Sequence, residues 1–243
     1  MRVVVSRKVT KVALFALAVV PLAALVTWIA AVNVAAYVAG RPTVQNLQLA
    51  VRLDPGNSQY ALRLGRMYQY SMADMDPEQA QYYFGRAAKL NPYDAQPWLD
   101  LAAALEFQGK TAEAEKCLKR ADYLAPNGAA VQWAVGNFFL LHGNNEEAFR
   151  HFKAVLTGST RYNPQLFSIA WKASGDGDFI LERLIPRRLQ TEVNYLYYLV
   201  SKQLYSDAFK VWKRIASSSE TLVPRRVSGY IDNLIRAGRP AEA

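Results

Sequence analysis

A helical hairpin recurs along this chain at a fixed pitch, and that recurrence limits the fold more than any composition could. Between Asn91 and Pro126 the apolar spacing predicts two amphipathic helices, one over Ala95 to Phe107 and one over Thr111 to Leu124. Trp98, Leu101, Ala102 and Leu105 share one face of the first, and Ala114, Leu118 and Ala121 share one face of the second, because steps of three, four and seven return to the same side of a helix. Gln108-Gly109-Lys110 supplies the turn between them. Neither helix buries its stripe alone, so the hairpin needs neighbours of its own kind.

The neighbours are present. Pro92 to Pro126 is a step of 34 residues, and a further 34 reaches Thr160. In that next pair Val135, Gly136 and Phe139 replace Leu101, Ala102 and Leu105, while Gly143, Ala148, Phe152 and Val155 replace Gly109, Ala114, Leu118 and Ala121. Upstream, Leu64, Gly65 and Tyr68, then Ala80, Phe84 and Ala87, hold the same places. Pro55 to Pro92 is 37 residues, and the loop Met72 to Pro77 absorbs the three extra.

Trp98, Gly65, Gly136, Tyr68, Ala80, Phe84, Pro92, Ala114, Ala148, Phe152 and Pro126 carry a pattern that resembles the tetratricopeptide repeat, a 34-residue helix-turn-helix unit. The resemblance implies a right-handed α-solenoid, and with the apolar N-terminal stretch read below as a single transmembrane helix the chain is expected to be all-α. Three repeats are expected at 57–94, 95–128 and 129–160. A half-repeat over 43–56, with Leu47, Ala50 and Pro55 in register, reads as an N-terminal cap. Residues 161–243 read as degenerate hairpins: Asn163 to Lys172, Phe179 to Ile185, Arg187 to Gln203, Asp207 to Ile215 and Val223 to Ala237. The last hairpin is incomplete, which predicts an uncovered apolar face at the end of the stack, or further chain or a partner over it.

A basic segment, residues 1–11, precedes the span at 12–39. Val12 to Val38 holds 27 residues without a charge, about 40 Å as a helix at ~1.5 Å per residue, against a hydrocarbon core of about 30 Å. A cleaved secretory signal would need a shorter apolar region and a better cleavage site than Val34-Ala35-Ala36. The reading is therefore an uncleaved signal anchor, with Trp28 and Tyr37 at an interface. Arg2, Arg7, Lys8 and Lys11 precede the span and only Arg41 and Arg52 closely follow it, which predicts a cytoplasmic N-terminus and an extracytoplasmic, periplasmic placement of the repeats at an inner membrane.

The net charge is +9, but without those four N-terminal cations 25 basic residues face 20 acidic ones. That is too dilute a charge for a nucleic-acid partner. Cys117 is the single cysteine, so no disulfide forms within the chain. His142 and His151 are nine residues apart on one helix and diverge. Asp176-Gly177-Asp178 lacks the other ligands of a calcium loop and reads as a turn. No phosphate loop, paired-cysteine motif or serine elbow appears. An enzyme, a cofactor, a metal and a small-molecule substrate are not expected.

Most large aromatics (Trp98, Tyr68, Phe139, Tyr82, Phe84, Phe152 and Trp212) fall on core positions. Trp133 stands one place further round, where the resemblance puts an inner groove. Leu62 and Leu99 are its equivalents, followed by Arg66, Ala103 and Asn137, then Gln69, Glu106 and Leu140. These nine residues form a candidate protein-binding groove, with apolar side chains of a bound peptide or helix over Leu62, Leu99 and Trp133, and with Arg66 and Asn137 holding its backbone or carboxylates. In the other reading, neighbouring helices cover these residues. The carboxylate clamp of chaperone-binding repeats is absent, since Leu62, Arg66, Asp100, Ala130 and Ala134 stand at its places. Replacing Trp133 and Arg66 is expected to weaken partner binding without unfolding. The function implied is a membrane-anchored scaffold that binds protein, in the manner of bacterial envelope proteins of complex assembly, secretion or polysaccharide export. The alternatives are a fixed subunit of a large membrane complex and an adaptor for an enzyme acting on glycans or lipids.

Overall fold

The computed structural model describes residues 7–218, 228–236 and 238, and the side chains among them other than those of residues 7–14, 16 and 18. Among the described residues there are thirteen helices and no strand: α1 (Arg7–Ala39), α2 (Val44–Leu53), α3 (Ser58–Tyr70), α4 (Pro77–Leu90), α5 (Ala95–Phe107), α6 (Thr111–Leu124), α7 (Ala129–Leu141), α8 (Asn145–Gly158), α9 (Asn163–Ser174), α10 (Gly177–Arg183), α11 (Leu189–Ser201), α12 (Tyr205–Ala216) and α13 (Ser228–Arg236). They form two compact units, Met1–Ala114 and Glu115–Ala243.

Short polar side chains start these helices. Thr43, Asn57, Asp76, Asp94, Asn144 and Asp176 each accept a backbone N–H of the first turn that follows, which satisfies donors the helix leaves open. The Asp176 cap starts α10 two residues earlier than the apolar spacing predicts. Left-handed residues close the hairpin turns. Gly109 and Gly143 have φ of 73° and 74°, and the amides just beyond them return to Leu105 and Phe139 at 2.9 Å. At the α11–α12 turn the same geometry falls on Gln203, with φ 59° and Leu204 N–H donating to the Leu199 carbonyl at 3.0 Å.

In the first unit α3 and α4 pack as one hairpin, flanked by α2 and α5. Leu47, Ala50, Leu64, Ala80, Phe84 and Ala87 are fully buried between them. Gly65 lies against the Phe84 ring so closely that a Cβ there would stand 2.7 Å from two ring carbons. Tyr82, assigned to the core from its sequence position, is 61% exposed. Its neighbours Tyr83 and Phe84 face inward instead, since one residue is about 100° of helix rotation. Trp98 and Phe139 are half-buried.

The N-terminal helix runs unbroken through Pro21. Its stretch Val19–Ala39 is 21 residues of mean hydropathy 2.1 and is long and apolar enough to cross a membrane. That stretch is almost wholly uncovered by the rest of the chain, with Trp28 61% and Tyr37 68% exposed. Among the described residues only its last turns dock. Ala35 and Ala39 are buried, and Arg63 of α3 donates to the Ala39 carbonyl at 2.7 Å, placing a cation on the negative end of the helix dipole.

In the second unit α7 and α8 repeat the hairpin, and Gly136 lies against Phe152 as Gly65 does against Phe84. The core continues through Phe149, Leu156, Leu166, Phe167, Ile180, Tyr195, Leu199, Val211 and Tyr230. The C-terminal hairpins are tied by an ion pair buried in this core. Arg214 Nε lies 2.7 Å from Glu192 Oε1, with 12% and 5% of the two side chains exposed. The expected helix over Val223 to Ala237 is described as α13; residues 223–227, Ala237 and the closing turn apart from Gly238 lie outside the described residues.

Candidate functional site: an aromatic cleft between α9 and α11

The nine residues of the expected groove stand on α3 and α5 in the first unit and on α7 in the second. Leu62 and Leu99 are core residues, 2% and 9% exposed, so they offer a partner almost no apolar area. Arg66 already holds a carboxylate: its Nε donates to Asp100 Oδ2 at 2.6 Å, while Gln96 Nε2 donates to Asp100 Oδ1 at 2.9 Å. Ala103 is exposed, and Gln69 and Glu106 are half-buried. On α7, Trp133, Asn137 and Leu140 are half-buried. Trp133 packs on Phe152 and Tyr162, with ring centroids 5.8 and 5.5 Å away. Replacing Arg66 or Trp133 therefore disturbs packing and pairing within the chain, in addition to any effect on a partner.

A cleft that the repeat register does not reveal lies further along the second unit. It has a volume of 430 Å³ and is lined by Thr160, Asn163, Pro164, Phe167, Asn194, Tyr197 and Tyr198. Pro164 opens α9, where its missing N–H costs nothing. Phe167, one turn on, stacks obliquely on Tyr195 and Tyr198 at 4.9 and 5.5 Å. Tyr195 is fully buried. Burial holds its hydroxyl well above the usual phenol range although Trp171 Nε1 donates to it at 3.1 Å. That bond fixes the ring on which the cleft floor rests. Tyr197 and Tyr198 are half-buried at the lip, and burial likewise raises the Tyr198 hydroxyl while its bond with Ser168 opposes the shift.

The unusual member is Asn163. The residue is 1% exposed, and neither its side-chain Oδ1 nor its Nδ2 has a hydrogen-bond partner among the described residues. An unpaired buried amide costs about 1–3 kcal/mol. In sequence it reads only as a good helix starter before proline. The signals for the cleft were Asn163-Pro164 and the Tyr197-Tyr198 pair one turn after Asn194, but they meet only because α9 and α11 pack together.

A second cavity, 290 Å³, lies among α6, α7 and α8 within the same unit, lined among others by Asp122, Phe139, Glu147, Arg150 and His151. Its polar groups satisfy one another. His151, 1% exposed, shares its Nδ1 proton with Gln132 Oε1 at 2.7 Å, and its Nε2 faces Arg150 Nη2 at 2.8 Å. Gln132 Nε2 in turn donates to Asp122 at 2.5 Å. Burial first, and the Arg150 charge second, hold the imidazole below its usual range against the pull of Asp122 and Glu147. The neutral ring serves as acceptor for Arg150. Among the described residues no group of three or more histidine, cysteine, aspartate or glutamate side chains is placed to hold a metal.

Comparison with known proteins bears on the hairpins. The sequence profile of the tetratricopeptide repeat family matches residues 71–135. Over that span the hairpins match the tetratricopeptide repeat. Such repeats are in general non-catalytic scaffolds for protein–protein interaction, stacked so that each unit leans on the next. No curated protein sequence matches the chain. Among solved structures, MamA is similar at 16% identity and a TM-score of 0.46, over 82% of this chain and 98% of that one. A second MamA structure gives 15% and 0.40 over 78% and 89%. PilF of Pseudomonas aeruginosa gives 15% and 0.42 over 89% and 87%.

Proposed function

We propose that this chain is a single-pass, membrane-anchored tetratricopeptide-repeat scaffold that captures a segment of a protein partner in the α9–α11 cleft. The observation that carries the reading is Asn163: a buried amide without a partner, in the wall of an aromatic cleft, is a cost without return unless a ligand collects it. A carboxamide offers one acceptor and two donors, which match the C=O and N–H of a peptide group once the lip opens. Tyr197 and Tyr198, half-buried at the lip, supply rigid apolar area beside it. Span residues 12–38 hold the chain in the inner membrane with the N-terminus cytoplasmic, and the short Gly40–Thr43 connection keeps α2 and α3 close to the bilayer. The work proposed is assembly of an envelope complex, secretion or polysaccharide export.

The test uses the full chain in its own membrane, with a photo-crosslinking amino acid at Tyr198. A discrete adduct is expected, and Asn163→Leu is expected to abolish it while raising the thermal midpoint, since an apolar isostere removes an unpaired buried amide. An Asn163→Leu variant that unfolds more easily, or that crosslinks unchanged, refutes the cleft. Extraction by alkaline carbonate tests the anchor: the chain stays with the membrane pellet, and a variant lacking residues 1–38 leaves it.

A further inference from the structure

Three cations meet around a cavity of 370 Å³ on the second unit: Lys153 of α8, Arg187 just beyond α10, and Arg214 of α12, with Leu181, Glu182 and Ile185 completing the wall. Arg214 is committed elsewhere, to Glu192 at 2.7 Å and to the Leu181 and Ile185 carbonyls at 2.7 and 3.3 Å. The two flanking arginines are also engaged, Arg183 with Glu146 at 3.2 Å and Arg188 with the Thr157 carbonyl at 2.5 Å. Among the described residues Lys153 has only the Glu182 main-chain carbonyl, at 3.2 Å. Arg187 is exposed and makes no hydrogen bond or ion pair among the described residues. Burial, and then Arg214, Arg183 and Arg187, hold the Lys153 ammonium below its ordinary range. Against its three cations the lining sets one carboxylate, Glu182, and Glu192 offsets Arg214 from behind, so the hollow keeps an excess of positive charge.

We infer that this hollow is an anion site, in which a phosphoryl group sits between the Lys153 ammonium and the Arg187 guanidinium. A dianion matches two cations. Arginine presents a planar fork to two phosphate oxygens, and lysine a compact point charge. Arg214, held from behind by Glu192 and two carbonyls, gives the floor a fixed positive wall. The group could arrive on a soluble phosphate or on a phospholipid headgroup; the chemistry recognised is the same.

The test takes the full chain in micelles of a neutral detergent and follows acylation of Lys153 by mass spectrometry, with exposed Lys172 as the internal control. Inorganic pyrophosphate is titrated in one arm, and phosphatidic acid is doped into the micelles in the other. Lys153 is expected to be protected saturably and Lys172 not, with Arg187→Glu weakening the apparent affinity about tenfold or more. Arg187→Gln, with circular dichroism unchanged, is the milder check. Protection by pyrophosphate marks a soluble ligand, and protection by phosphatidic acid alone marks a lipid. No protection in either arm, or protection unchanged in both Arg187 variants, overturns the site.

Discussion

Gly65 offers the sharpest test of how the hairpins are held together. A methyl added there falls 2.7 Å from two carbons of the Phe84 ring and 3.2 Å from a third, where carbon–carbon contacts settle near about 3.5–4.0 Å. Phe84 is fully buried, so the ring has no exit to solvent. Overpacking of this kind costs about 1–3 kcal/mol, while exchanging glycine for alanine inside a helix returns about 1 kcal/mol. Gly65→Ala should therefore be neutral to about 2 kcal/mol destabilising. Gly85 is the internal control. It lies on α4 with nothing within 4 Å of its notional Cβ, so Gly85→Ala should stabilise by up to about 1 kcal/mol. The partner substitution is suggested by the chain itself, which places Ala102 and Leu118 at the equivalent positions of the next repeat. Phe84→Leu should make room for the methyl, so the double variant should be more stable than the sum of the two single changes by about 1–2 kcal/mol. Urea midpoints read by circular dichroism measure all four. If Gly65→Ala stabilises as much as Gly85→Ala, or if Phe84→Leu shows no coupling to it, the contact does not set the hairpin.

Three further predictions rest on single groups. His151 is neutral in the fold and its affinity for a proton is reduced, so the unfolded chain binds more protons than the native one. Its contribution to stability is present above the usual histidine range of about 6.5 and is lost as pH falls through the lowered native value; thermal midpoints should drop on acidification, and less steeply in His151→Gln. Arg66→Ala strands the Asp100 carboxylate, whose side chain is 11% exposed, and should cost about 1–3 kcal/mol in urea unfolding, an effect reduced in the Arg66→Ala, Asp100→Ala double variant. Gln203→Gly removes a side chain from the left-handed region at φ 59°; it should raise the thermal midpoint by the equivalent of about 1 kcal/mol, and a lower midpoint would show that the Gln203 side chain contributes more than its backbone costs.

The helices themselves were legible in the order of residues. Ala95–Phe107 and Thr111–Leu124 begin and end where periodicity, Asp94 and the Gly109 turn place them. The apolar N-terminal helix was legible too, although it starts at Arg7 rather than at Val12, because length and lack of charge are properties of a stretch, needing no neighbour. Coverage is a different matter. Periodicity says which residues share a face, but the crossing of adjacent helices decides which of them are sealed. Hence Leu62 and Leu99 are buried, Tyr82 faces outward beside Tyr83, and Arg66 pairs with Asp100, 34 positions away. Past Thr160 the repeat register weakens, and with it any rule for pairing positions. Asn163 and Tyr198 line one wall, and Lys153 and Arg187 another, only because packing brings separate segments together. Local chemistry determines the elements; the tertiary packing alone decides which polar groups are left without a partner, and those are the groups a ligand can reward.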